Sequence, residues 1–293
     1  MVKLPLTRWI VAVLMALLLL GAFLLCDLIR QSYARNILTD SSNRGLNPPS
    51  LRQTNRPLRF IPVLQQPSSD ELRSALLHYA TSPIVPQQTI SEIRVSFDVL
   101  RRRSPCNFLV FGLGHDSPMW SAFNSGGTTL FLEEDPSWFQ SVLRKFPSLR
   151  AHHVRYPTKL SEADKLMESY RKEPECMPPK ARLKDNRRCR LALADLPGEV
   201  YKMEWDLIMI DAPKGYFAEA PGRMGAIYSA AVMARERKGE GFTDVFLHDV
   251  DRKVEKKFAM EFLCKKYLVG GSGRLWHFRI PPASGNETAG TFC

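Results

Sequence analysis

Acidic residues in this chain stand repeatedly at the ends of short apolar runs. Residues 128–135 (TTLFLEED) close on Glu133, Glu134 and Asp135, residues 205–213 (WDLIMIDAP) on Asp211, and residues 243–250 (TDVFLHDV) on His248 and Asp249. An earlier run, 107–114 (NFLVFGLG), closes on Gly112 and Gly114, with His115 and Asp116 following. Glycines let a backbone turn sharply and let a ligand approach it closely. An acid about 20 residues later, at the end of the next strand, is where a ribose hydroxyl is held in nucleoside-binding α/β proteins. The pattern is G-x-G and lacks the third glycine that helps to seat a pyrophosphate. That favours S-adenosylmethionine, which has no phosphate, over a dinucleotide. Gly112, Gly114, His115, Asp116, Glu133 and Glu134 are the cofactor candidates. The same residues also suit a plain tight turn and a solvated acidic turn.

Passing a methyl group to a hydroxyl is an in-line displacement, in which the hydroxyl must lose its proton to a base within hydrogen-bond reach. Asp211, His248 and Asp249 are the catalytic candidates. Asp211 and Asp249 project from different strand ends and could hold a divalent metal that polarises the hydroxyl. They could equally form a metal-free base with an orienting partner, and His248 and Asp249 could cap the next helix. Lys214, Arg223 and Arg252 flank these acids and supply cations for an anionic substrate, with bidentate geometry from arginine. Tyr216 could stack on a sugar face. These four are the substrate-binding candidates, with a salt bridge or a core position as their ordinary alternatives.

These residues need a scaffold that brings strand ends together. Apolar runs without alternation fit strands buried on both faces of a parallel sheet. Six such runs occur, at 107–114, 128–135, 151–156, 205–213, 243–250 and 274–281. Helical patterns fall at 71–79, 136–146, 161–171, 222–237 and 252–264. The alternation predicts a doubly wound α/β fold with a mostly parallel sheet, which binds ligands at the carboxyl ends of its strands.

Residues 9–26 are uncharged and almost wholly apolar. At a rise of about 1.5 Å per residue they make roughly 27 Å of helix, enough for a thin membrane. The run is long for a signal peptide and ends on a poor cleavage site, LLCD. We expect a cytosolic tail at 1–8, a transmembrane signal anchor at 9–26, a lumenal stem at 27–70 and a folded domain at 71–293. The formal net charge of +11 points to an anionic partner, and a lumenal address leaves a membrane face or an acidic glycan and excludes nucleic acid. Six cysteines include no CxxC pair, which argues against a zinc site. In an oxidising lumen Cys176–Cys189 and Cys264–Cys293 are plausible bridges with Cys106 left over, whereas reduced cysteines would pack as small apolar residues. Asn286-Glu287-Thr288 is a glycosylation sequon.

The segments SPCNFLVFGLGHDS (104–117), FLEED (131–135), DAPKGY (211–216), APGRM (220–224) and VFLHDV (245–250) resemble the plant polysaccharide-biosynthesis family. That family contains glucuronoxylan 4-O-methyltransferases, arabinogalactan methyltransferases and irregular-xylem-15-like proteins. The resemblance covers about residues 70–293. It implies a Rossmann-like S-adenosylmethionine-dependent methyltransferase fold behind an N-terminal transmembrane helix, in a single-pass type II protein of the Golgi membrane with a lumenal catalytic domain. It also implies the 4-hydroxyl of glucuronic acid as acceptor and allows a divalent metal. The match looks more like the arabinogalactan-type members, because Lys214 and Asp251 depart from the xylan enzymes' DAPT and HDVN. Arabinogalactan side chains are therefore the first expected acceptor, glucuronoxylan the second, and a non-catalytic scaffold of xylan synthesis the alternative from another class.

Overall fold

The computed structural model describes residues 69–283 and 291–293. The expected tail, anchor and sequon, and the stem up to residue 68, lie outside the described residues. Among those described, no helix is long and apolar enough to cross a membrane.

In chain order the elements are α1 (Ser69–Thr81), α2 (Ile90–Arg103), β1 (Asn107–Phe111), α3 (Ser117–Phe123), β2 (Thr128–Glu133), α4 (Pro136–Lys145), β3 (Ala151–His153), α5 (Ala163–Tyr170), α6 (Gly198–Lys202), β4 (Leu207–Ile210), α7 (Met224–Arg235), β5 (Thr243–Leu247), α8 (Lys253–Phe258), β6 (Leu268–Ser272) and β7 (Leu275–Ile280). The sheet order is β3-β2-β1-β4-β5-β7-β6. β1 to β5 pair in parallel, and β7 runs antiparallel between β5 and β6. The expected doubly wound, mostly parallel sheet is thus present. Chain order reverses between β1 and β4, and their carboxyl ends form the crevice where such sheets bind ligands.

The apolar runs are continuous because both faces are covered. Leu109, Phe111, Ile208, Ile210, Val245 and Leu247 join α5, α7 and α8 in one core, while Phe108, Val110, Leu207, Met209 and Phe246 join α2, α3 and α4 in the other. α7 is buried along nearly its whole length, and its small residues allow that. A Cβ on Gly225 would stand 3.2 Å from Leu193 Cδ2.

Local chemistry sets the helix starts at the crevice. Asp135 caps α4, its Oδ1 accepting from the Ser137 and Trp138 amides at 3.0 and 3.1 Å, and Pro136 needs no partner at the first position. Thr89 and Glu92 form a capping box on α2. α2 and β6 were not expected from the sequence, the latter because LVGGS is mostly exposed and carries two glycines. The third strand is shorter than its apolar run, ending at His153. Both plausible bridges exist, Cys176–Cys189 and Cys264–Cys293, with Cys106 free and buried.

Candidate functional site

The loops after β1, β2, β4 and β5 surround a cavity of about 490 Å³. Every site residue expected from the sequence lines it except His248. Residues 84–87, between α1 and α2, form a further wall.

The glycine loop is fixed from beneath. Gly112 has φ +129°, open to glycine and strained for other residues, and a Cβ there would press on Ala212 Cβ at 3.3 Å. Glu133 is 4% exposed, and its carboxylate accepts from the Leu113 amide at 3.1 Å and the Asp135 amide at 2.9 Å. One carboxylate thus ties the β1 loop to the β2 loop. Burial, with the neighbouring Glu134 charge, pushes its pKa up to about 7. Glu134 accepts the Lys214 amide at 3.0 Å through Oε1, while its Oε2 is buried and accepts no N–H among the described residues. Trp138, not expected from the sequence, donates its indole N–H to the Leu113 carbonyl at 2.6 Å, and its ring meets His115 edge-on at 5.1 Å. Asp116 is half-buried, and its Oδ2 accepts from the Trp120 indole at 2.8 Å.

The opposite wall is built around Asp211. Its Oδ1 accepts from His248 Nδ1 at 2.8 Å, and its Oδ2 from Gln88 Nε2 at 3.2 Å. Burial alone would raise its pKa. The His248 hydrogen bond and the Arg223 charge overcome this and hold the carboxyl well below the usual carboxylate range. His248 is only 2% exposed, and its Nε2 turns away from the cavity, 3.7 Å from Glu92 Oε1. It was expected in direct catalysis; its place is behind Asp211, which it orients. Glu92 is itself held by the Thr89 and Arg274 amides, both at 2.7 Å.

Asp249 is a buried hub at φ +60°, a left-handed conformation that Asp tolerates better than most residues. Arg223 and Arg252 each reach its Oδ2 at 2.8 Å, and Arg274 reaches Oδ1 at 2.6 Å. Arg223, expected to bind substrate, is 5% exposed. Its guanidinium also donates to the carbonyls of Pro213, His248 and Asp211, so its donors serve the loops themselves. Arg252 differs, because its Nη1 makes no hydrogen bond among the described residues and lies 3.8 Å from the buried Glu255 Oε1, and its guanidinium is 6.0 Å from the Tyr216 ring. Tyr216 is 67% exposed at the cavity mouth. Lys214 Nζ pairs with Asp135 Oδ2 at 3.0 Å.

Two groups implied by the sequence can be tested against this geometry. Ligand atoms of Asp211, His248 and Asp249 lie within 4.8 Å of one another, a donor set with the right chemistry for a divalent ion. As arranged they do not fit one. The His248 N–H already occupies Asp211 Oδ1, and three guanidiniums already neutralise Asp249. S-adenosylmethionine fits better. Two glycines that keep side chains out, with the Glu133 and Glu134 carboxyls at the end of the next strand, suit a nucleoside.

Comparison with known proteins agrees with this reading. The IRX15/IRX15L/GXM family model matches residues 91–278. Arabinogalactan O-methyltransferase 1 of Arabidopsis thaliana is 63% identical over 214 residues, covering 73% of this chain and 74% of that protein. Arabinogalactan O-methyltransferase 2 of the same plant is 52% identical, covering 97% and 94%. Its glucuronoxylan 4-O-methyltransferase 1 is 50% identical, covering 92% and 94%. With a match over most of the folded domain and two relatives each covered along 94% of their length, the chain belongs to the IRX15/IRX15L/GXM family.

Proposed function

We propose that this protein is an S-adenosylmethionine-dependent O-methyltransferase acting on the 4-hydroxyl of glucuronic acid residues in arabinogalactan side chains. The observation that carries the reading is the cavity itself, where a glycine loop and the Glu134 carboxylate face a wall that carries the Arg252 guanidinium. The donor supplies a methyl group on a positively charged sulfur. Glu134 Oε2 would accept a ribose hydroxyl, while Glu133 keeps the two loops in register. Asp211 is charged at all physiological pH and would hold the acceptor hydroxyl in line. Arg252 Nη1 would take the uronate carboxylate, with the exposed Tyr216 ring against the sugar face.

The names of the relatives support both a methyl donor and a glucuronate polymer. Glucuronoxylan is the second acceptor, because a glucuronoxylan enzyme is nearly as similar as the second arabinogalactan enzyme. We place the chain in the Golgi membrane through residues 9–26, with its domain in the lumen. The two disulfides support an oxidising compartment. Incubation of the full chain with labelled donor and desmethyl arabinogalactan or glucuronoxylan tests the reading. Label is expected on 4-O-methylglucuronate, more in arabinogalactan. Label in neither polymer, with no donor bound in calorimetry, would leave the scaffold interpretation.

A further inference from the structure

Four aspartates line the cavity, and their surroundings differ in kind; Asp135 caps α4 and pairs with Lys214. Asp249 is held by three arginines, and Asp211 by His248, Gln88 and Arg223. A carboxylate so surrounded resists protonation and makes a poor proton acceptor. Asp116 has no ion pair among the described residues. Its Oδ2 is tied to the Trp120 indole, while Oδ1 lies beside Gly114, 2.9 Å from where a Cβ would stand. The glycine thus leaves room around this oxygen, and the short helix α3 holds both Asp116 and Trp120 in place.

The geometry points to Asp116 as the general base of the methyl transfer, a role that rests on the function proposed above. The acceptor hydroxyl's proton passes to Asp116 Oδ1 as the hydroxyl oxygen bonds to the methyl carbon. The sulfur–methyl bond breaks with its electron pair going to sulfur, which becomes a neutral thioether. The carboxylate becomes a carboxylic acid and later returns the proton to water. The charged and titratable groups facing Asp116 are Asp211, His248 and Tyr79. Burial, then the Asp211 charge, raises its pKa to about 6, which suits a base working near neutrality.

The test reads the Trp120 indole directly. In the ¹⁵N-indole-labelled full chain, which has five tryptophans, the Trp120 N–H should titrate with a midpoint near 6, without any donor or acceptor present. Asp116→Asn should abolish that titration, keep donor binding in calorimetry, and lower kcat at least 100-fold with loss of its acid limb. Asp211→Asn should move the indole midpoint down, because it removes the charge that raises Asp116. Turnover by Asp116→Asn within tenfold of wild type, or an indole that does not titrate between pH 4.5 and 8, would overturn the assignment. A wild-type chain that binds no donor and methylates no uronate polymer would overturn the function beneath it instead, leaving the titration of Asp116 intact.

Discussion

Individual residues in this site are governed by what neutralises them. Glu133 is buried, has no counter-ion among the described residues and uses its carboxylate to bind two loop amides. Its pKa is raised by burial and then by Glu134. A carboxyl with a folded pKa of about 7 and an unfolded value of 4.5 holds its proton longer in the native state. Its contribution to stability is present at low pH and is lost as pH rises between these values. Glu133→Gln has no such loss. The stability of the variant relative to wild type should therefore rise from pH 5 to pH 8, by on the order of 2 kcal/mol. Urea unfolding at the two pH values measures it, and a difference that stays constant would show that Glu133 is ionised throughout. Comparison with a variant corrects for other titrating groups, such as His78, whose pKa is lowered chiefly by burial.

At the scale of elements, the sequence exposed the strand ends more clearly than the elements behind them. Strands of four to six residues that end at Glu133 or just before Gly112, Asp211 and His248 marked four carboxyl ends, because burial on both sheet faces leaves no alternation to obscure a strand. Side-chain roles were harder to read. Nothing in HDVD distinguishes a histidine facing the cavity from one behind Asp211; that depends on a single φ of +60° at Asp249 and on Glu92, which approaches from a distant helix. Glu92, Gln88 and Arg274 were invisible for the same reason, their partners lying far along the chain. The start of α2 was missed, although its Thr89-Ile90-Ser91-Glu92 forms a capping box in the structure. Thr89→Ala removes that cap and one anchor of Glu92, and should cost about 1–2 kcal/mol. Urea unfolding checks this, and an unchanged midpoint would show that the Thr89 and Arg274 amides hold Glu92 without the hydroxyl.

Across the whole molecule, stability is distributed unevenly around the sheet. The face that carries α5, α7 and α8 holds both disulfides, away from the cavity-lining residues. Cys264–Cys293 pins the last residues, and with them Phe292, which is 3% exposed and meets Phe262 and Tyr228 at ring separations of 5.2 and 5.6 Å. Chain-entropy reasoning assigns roughly 3 kcal/mol to the bridge that spans 13 residues and somewhat more, about 3.6 kcal/mol, to the one that spans 29. Without its bridge the terminal segment also loses the constraint that keeps Phe292 in the core, and a freed Phe adds up to about 3 kcal/mol of lost burial. Cys264→Ala/Cys293→Ala should therefore unfold at lower urea than Cys176→Ala/Cys189→Ala, with donor affinity unchanged in both. The reverse order would mean that the 176–189 loop, whose cysteines are both buried beside α7, contributes through packing more than through the length of the loop it closes.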